Sequence, residues 1–322
     1  MSIRNLFCGV AVMAASASAT AACHADEPPQ VRIEHAAARL VVIAEPRNNV
    51  SVTVHHGDNR LPELNVRQEG GRVVVDGGLD AGMFGVSNDR TRCVGAYAVT
   101  HIGPMTHIRD NRAVFVRGVG RVDYDDLPVI TAHVPLSARV AASSAVFGEV
   151  GRTDSLDLSA VGCGNWTVAD VRGQLSVNNV GSGDIHAEAA GSLRGKLAGS
   201  GDLQTGAVGG DADVSIAGSG DVTTGAVNGA LRAKVAGSGD VAVASIAGPV
   251  DAGIAASGGI RIHGGHAPNV KARVAGSGDF SFDGEAGSLS AAVVGSGDIY
   301  VAHVSGPVSK SVMGSGDVRT GR

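Results

Sequence analysis

Between Leu231 and Ile246 the chain reads LRAKVAGSGDVAVASI, with apolar and polar positions alternating on both sides of a glycine-rich tetrapeptide. The phrase recurs through the C-terminal half. Gly-Ser-Gly-Asp begins at Gly181, Gly199, Gly218, Gly237, Gly276, Gly295 and Gly314, and two degenerate copies, GCGN at Gly162 and ASGG at Ala256, complete the register. Successive starts lie 19, 18, 19, 19, 19, 20, 19 and 19 residues apart. A fixed period of this size predicts a solenoid, because one such unit cannot bury its apolar face alone and must stack on its neighbours.

Columns in this register give the secondary structure. Two residues before each tetrapeptide stand Leu197, Ile216, Val235, Ile254, Val274, Val293 and Val312; six before stand Leu193, Ala212, Leu231, Val250, Val270, Leu289 and Val308. The position between them is mostly small, as in Gly195, Ala233, Ala252, Ala272 and Ala291, and the intervening residues are polar, as in Arg194, Lys196, Arg232, Lys234, Lys271 and Arg273. Period two means strands. After the Asp, Ile185, Leu203, Val222, Val241, Ile260, Phe280, Ile299 and Val318 point in, while His186, Gln204, Thr223, Arg261, Ser281, Tyr300 and Arg319 point out. A second glycine column, Gly210, Gly229, Gly248, Gly287 and Gly306, marks another corner. The fold class is therefore all-β, a parallel β-helix or solenoid with coils of ~19 residues, and nine copies at ~4.8 Å make a rod section roughly 40 Å long. Carried through the tetrapeptide, the alternation places both glycines inward and Ser and Asp outward.

Residues 26–161 continue the strand pattern less regularly, as in NNVSVTVHH and RQEGGRVVVDGG, and 162–322 form the regular repeat. Residues 78–112 have little periodicity and are expected to be a loop insertion. No Pro/Ser-rich linker separates a second domain, so one continuous β domain is expected.

The first 25 residues carry an early cation at Arg4, an apolar run and then small residues, the pattern of a secretory signal peptide. Cleavage after Ala25 and cleavage after Ala21 both suit it. Lipidation at Cys23 is the lesser reading, since TAAC lacks the Leu three residues earlier. A periplasmic or secreted chain with no transmembrane segment after the signal is expected. That compartment is oxidising, and Cys93 and Cys163, the two cysteines beyond the signal, are candidates for a disulfide that staples the insertion to a coil. Aromatics are only 3% of the chain and glycines number 48, which argues against a core built around large rings. The net charge of −5 leaves no basic footprint, so nucleic acid is not an expected partner.

An exported chain with VRIEHAAARLVVIAEPRNNVSVTV near its start, a VITAHVPLSARVAASSA step and then reiterated AGSGD and VGSGD resembles the head GIN domain family (DUF2807), labelled an autotransporter adhesin. The resemblance implies a right-handed single-stranded β-helix and a surface role. It supplies no catalytic residues.

The outward ladder Asp184, Asp202, Asp221, Asp240, Asp279, Asp298 and Asp317 is the main candidate feature. Carboxylates ~4.8 Å apart repel by ~0.9 kcal/mol per neighbouring pair even in water. Either local hydrogen bonds from backbone N–H groups or the adjacent Ser offset this, or divalent cations sit between coils. The ladder lacks the nonapeptide of calcium-binding rolls, which favours hydrogen bonding. His263 and His266 read as a solvated turn rather than a metal pair, Tyr124 to Asp126 as surface charge rather than an acid/base pair, and Trp166 as an aromatic plug at the start of the regular coils rather than a sugar platform. No metal, cofactor or catalytic residue is expected. The expected function is that of a non-enzymatic envelope protein, structural or adhesin-like, with polysaccharide or cell-surface components as partners. The alternative is a polysaccharide-active β-helix enzyme, a lyase or hydrolase, which requires acids and bases clustered on one outer face.

Overall fold

A computed structural model describes residues 29–57, 59–79, 91–94, 97–102, 105–110 and 112–321, which form an all-β parallel solenoid of about ten turns. The signal region lies outside the described residues. Among them, no helix is long and apolar enough to cross a membrane.

Each regular coil has one strand before the tetrapeptide and another after it, such as Leu231–Gly237 and Val241–Ile246. Both pair in parallel with their counterparts one coil below and one above, so Val235 lies between Ile216 and Ile254. Leu231, Ala233 and Val235 are buried while Arg232 and Lys234 are exposed, as the alternation requires. The aliphatic columns merge into one core running from Val31 to Val318. Among the aliphatic columns, Asn179, Thr205 and Thr224 are buried polar residues, and Asn179 Nδ2 donates to Gly183 O at 2.7 Å.

The two tetrapeptide glycines serve different constraints. The first, half-buried or exposed, has φ between 127° and 152° at Gly162, Gly181, Gly199, Gly218, Gly237, Gly276, Gly295 and Gly314, a region open to glycine and hostile to a Cβ. The second is buried, and from Gly183 to Gly316 a Cβ there would strike the carbonyl oxygen of the corresponding glycine one coil below. The corner also continues below the glycine register. Gly162 pairs with Ser144 and Ser144 with Ala36, and Ser144 and the neighbouring His35 take positive φ of 77° and 48°.

The first coils are not stacked in chain order. Strand Gln30–Glu45 lies between Ser137–Val150 on one side and both Arg72–Asp76 and Val129–Pro135 on the other. Two antiparallel strands, Ser51–His55 against Val129–His133 and Asn65–Glu69 against Arg72–Asp76, close the outer edge.

The insertion carries more order than its sequence advertises. Thr91–Val94, Ala113–Val116 and Gly120–Asp123 form a small antiparallel sheet, and Tyr97–Ile102 pairs with Met105–Asp110. Strands this short leave little alternation to read. The sheet rests on the corner of the first coils, where the outward residues turn apolar. Ala37, Ala145 and Phe147 there form a second core with Val114, Val116, Val122, Tyr124 and Leu127. Cys163, in the column that Ser182 occupies one coil higher, is bonded to Cys93 of this sheet with the Cα atoms 5.7 Å apart.

Ala256 is the one non-glycine in the regular corner column from Gly162 to Gly314, and it is held at φ 122°. A residue with a Cβ in such a region costs about 1–3 kcal/mol, of which glycine's extra unfolded-state entropy returns up to about 1. Ala256→Gly is expected to stabilise the rod by about 1 kcal/mol, seen as a higher denaturation midpoint. An unchanged or lower midpoint would show that the strain relieved at this corner does not exceed the entropy cost of glycine.

Candidate functional site

The exposed Asp column is a hydrogen-bonded ladder between coils. The N–H of each Asp donates to Oδ1 of the residue one coil below: Asp184 to Asn165 at 3.0 Å, Asp202 to Asp184 at 3.1 Å, Asp221 to Asp202 at 2.8 Å and Asp240 to Asp221 at 2.8 Å. Gly259 donates to Asp240 at 2.6 Å but offers no acceptor to Asp279 above it. The ladder resumes above it, where Asp298 N–H donates to Asp279 Oδ1 at 2.8 Å and Asp317 N–H to Asp298 Oδ1 at 2.9 Å. The opposite corner uses the same device in places, as Ala230 N–H donates to Asp211 Oδ1 at 2.8 Å. A hydrogen bond to a charged acceptor contributes on the order of 1.5 kcal/mol, which outweighs the ~0.9 kcal/mol repulsion of stacked carboxylates. Each side chain thus ties its coil to the next, a partner beyond the local ones the sequence offered.

At the last rung Asp317 has no amide above it. Its Oδ1 accepts from Val318 N–H at 2.7 Å and its Oδ2 from Arg319 Nε at 2.9 Å. The Arg319 hydrogen bond, and after it the Val318 amide, hold the Asp317 carboxyl below its ordinary value, and the same contact raises the Arg319 guanidinium.

His263 and His266 are both exposed, and His266 Nδ1 stands 3.8 Å from Glu285 Oε2. Among the described residues no group of three or more His, Cys, Asp and Glu side chains is arranged to hold a metal ion. Tyr124, Asp125 and Asp126 form a 3-10 turn. Tyr124 is buried edge-on to Phe147 at 5.2 Å, with the Arg112 guanidinium 3.6 Å and that of Arg39 4.6 Å from its ring centre. Asp125 is exposed, 3.8 Å from Arg39. Trp166 is 2% exposed and lies over Gly148, where any Cβ would overlap its ring. It is therefore core and presents no stacking surface to a ligand.

A groove of about 510 Å³ opens where the insertion ends and the polar face begins. Its floor is two adjacent outward columns, Asn165, Asp184 and Asp202 beside Glu149, Thr167, His186 and Gln204, and Arg112 of the insertion forms its wall. Parallel register stacks Glu149, Thr167, His186 and Gln204 one per coil. His186 Nδ1 and Gln204 Oε1 lie 3.3 Å apart. Higher on the rod the His186 and Gln204 column continues through Thr223, Ala242, Arg261 and Ser281. Period two reveals the outward placement of His186 and Gln204, but Arg112 follows an aperiodic stretch, and nothing in the sequence brings it to these coils.

Residues 212–321 match the family model described as "Putative auto-transporter adhesin, head GIN domain" (DUF2807), the family that the repeat resembles. No curated protein matches the chain.

Two predictions follow the ladder's geometry. Because Asn165 accepts from Asp184 as well as any carboxylate does, the double variant Asp221→Asn, Asp240→Asn is expected to melt within about 0.5 kcal/mol of the parent with or without millimolar calcium, whereas Asp221→Ala loses about 1 kcal/mol. A calcium-dependent rise in melting temperature that the double variant abolishes would make the column a metal site. Gly259→Asn supplies the missing acceptor beneath Asp279 without adding charge. Chemical denaturation should show a gain of about 0.5–1 kcal/mol, and a loss would mean that the rung cannot be rebuilt.

Proposed function

We propose that this chain is an exported, non-enzymatic rod of the cell envelope, an adhesin-like scaffold that holds a polysaccharide or another glycan-bearing surface component against its polar side. The family match over residues 212–321 supports a surface role in coarse terms. The observation that carries the finer reading is the walled groove. Amide, hydroxyl, imidazole and carboxylate groups from four successive coils, with Arg112 beside them, give a concave strip of donors and acceptors. A carbohydrate chain presents hydroxyls at repeated intervals along its length. A surface repeating every ~4.8 Å offers such a chain partners ring after ring. The interior needs only stacking and small aliphatics to form, so the outward columns are free to serve recognition.

A glycan array probed with the purified full chain tests this, with and without calcium. Binding is expected in both conditions, and Thr167→Ala combined with Gln204→Ala should weaken it at least tenfold while Ser281→Ala, on the same face beyond the wall, leaves it unchanged. Absence of binding to any glycan would reject the reading. Release of new reducing ends or unsaturated sugars from a bound polysaccharide would instead make the rod a β-helix enzyme.

A further inference from the structure

The strand before each tetrapeptide presents two outward columns, five and three residues ahead of it. The first runs Arg194, Asp213, Arg232, Asp251 and Lys271, and the second Lys196, Ser215, Lys234, Gly253 and Arg273, one residue per coil in parallel register. Cations therefore come in pairs on every second coil: Arg194 with Lys196, Arg232 with Lys234, and Lys271 with Arg273. The coils between them carry shorter, half-buried residues, so the exposed pairs stand proud of the face. Members of a pair are ~6.6 Å apart along the strand, and successive pairs ~9.6 Å apart along the rod.

Charge neutralisation within the rod accounts for half of this pattern. Asp213 lies 3.5 Å from Arg232 and Asp251 3.0 Å from Arg273, so each acid of the first column serves one neighbouring cation. The second column has cations and no acids. Among the described residues Arg194, Lys196, Lys234 and Lys271 make no ion pair or hydrogen bond, and all four are exposed. Six cations against two carboxylates make this face positive on a chain whose net charge is −5. The aspartate ladder at the next corner borders it with the opposite sign, which confines an anionic ligand to the strand face.

Toward the N-terminal coils the first column continues through Ser176, Asp157 and Arg139. There the face sinks into a cleft of about 280 Å³, lined among others by Ser137, Ser155, Gln174, Ser176 and Arg194. Arg139 is held by Asp157 at 3.1 Å, so hydroxyls, an amide and the unpaired Arg194 are what the cleft offers a ligand.

We infer that this face binds an acidic polysaccharide, with its carboxylates on the cation pairs and its hydroxyls in the cleft. The surface lies on the strand before the tetrapeptide, whereas the groove walled by Arg112 lies on the corner and the strand after it, and neither depends on the other. A cation pair every ~9.6 Å suits a chain that spaces its carboxylates over more than one sugar, while nucleic acid places a phosphate about every 3.4 Å of strand. One exposed ion pair contributes little, but three pairs engaged by one polymer add, because later contacts form within an encounter already made.

The test is the affinity of the purified full chain for immobilised hyaluronan, an unsulfated polymer with one carboxylate per disaccharide, at low and at physiological salt. Binding that weakens with salt is expected. Lys196→Ala combined with Lys234→Ala should weaken it at least tenfold, and Lys196→Arg with Lys234→Arg should keep it. Arg117→Ala with Arg261→Ala, which removes the same charge from exposed positions off this face, should leave it within twofold. Amidation of the polymer's carboxylates should cost at least tenfold. The inference is overturned if hyaluronan does not bind at low salt, if the amidated polymer binds as tightly, or if the arginine variant binds no better than the alanine one. It is equally overturned if the Arg117 and Arg261 control loses as much as the lysine variant, or if anionic phospholipid vesicles or single-stranded DNA bind more tightly through the same lysines. Hyaluronan binding that survives the lysine-to-alanine variant also overturns it, and leaves the groove at Arg112 as the glycan site.

Discussion

Backbone lies directly on backbone at the tetrapeptide corner, and the remaining regularities follow from that contact. A glycine carbonyl from one coil sits beneath the α-carbon of the glycine in the next, at a distance that leaves no room for a side chain. Stacking strands at their ordinary spacing through so tight a bend requires the same bare residues on every turn. The period of the sequence is thus the circumference of the coil. With the corner fixed, the residues flanking it keep a constant face along the rod, which lets the aliphatic columns become ladders and lets one aspartate meet the amide of the next.

The ladder shows how a repeat can turn a liability into a bond. Seven exposed carboxylates in one column would oppose stacking if each were solvated alone. Because each backbone amide donates to the side chain one coil below, every carboxylate but the last meets a partner generated by the repeat itself, and the interruption at Gly259 shows what happens when one copy departs. The last copy, lacking a coil above, recruits Arg319 and its own chain neighbour in place of the missing rung.

The columns, the strand directions and the inward and outward faces of residues 162–322 were legible because each position is sampled once per coil and errors average out. Below Gly162 the signal fails for a physical reason: Ser144 and His35 make the same turn with positive φ and no glycine, so the corner has no spelling to recognise. The insertion of strand Gln30–Glu45 between segments that follow it in the chain is a long-range pairing with no local signature. At the candidate site, the reach of His186 and Gln204 toward solvent could be read from period two, whereas Arg112 joined them only through the folded insertion and Glu149 through a strand below the glycine register. Trp166 was legible as core, but the vacancy made for it by Gly148 was not.

One coil gathers most of the departures from the pattern. Residues 256–275 span the longest interval between corners, begin with a strained alanine and break the aspartate ladder with Gly259. In a rod whose cohesion is a sum of neighbour contacts, such a coil is a seam: pulling or digesting the molecule from its C-terminal end would be arrested there, dividing it into a short distal segment and a longer proximal one that share a core but yield separately. A rod built this way can yield on one side of the seam under load while the part bearing the groove stays folded.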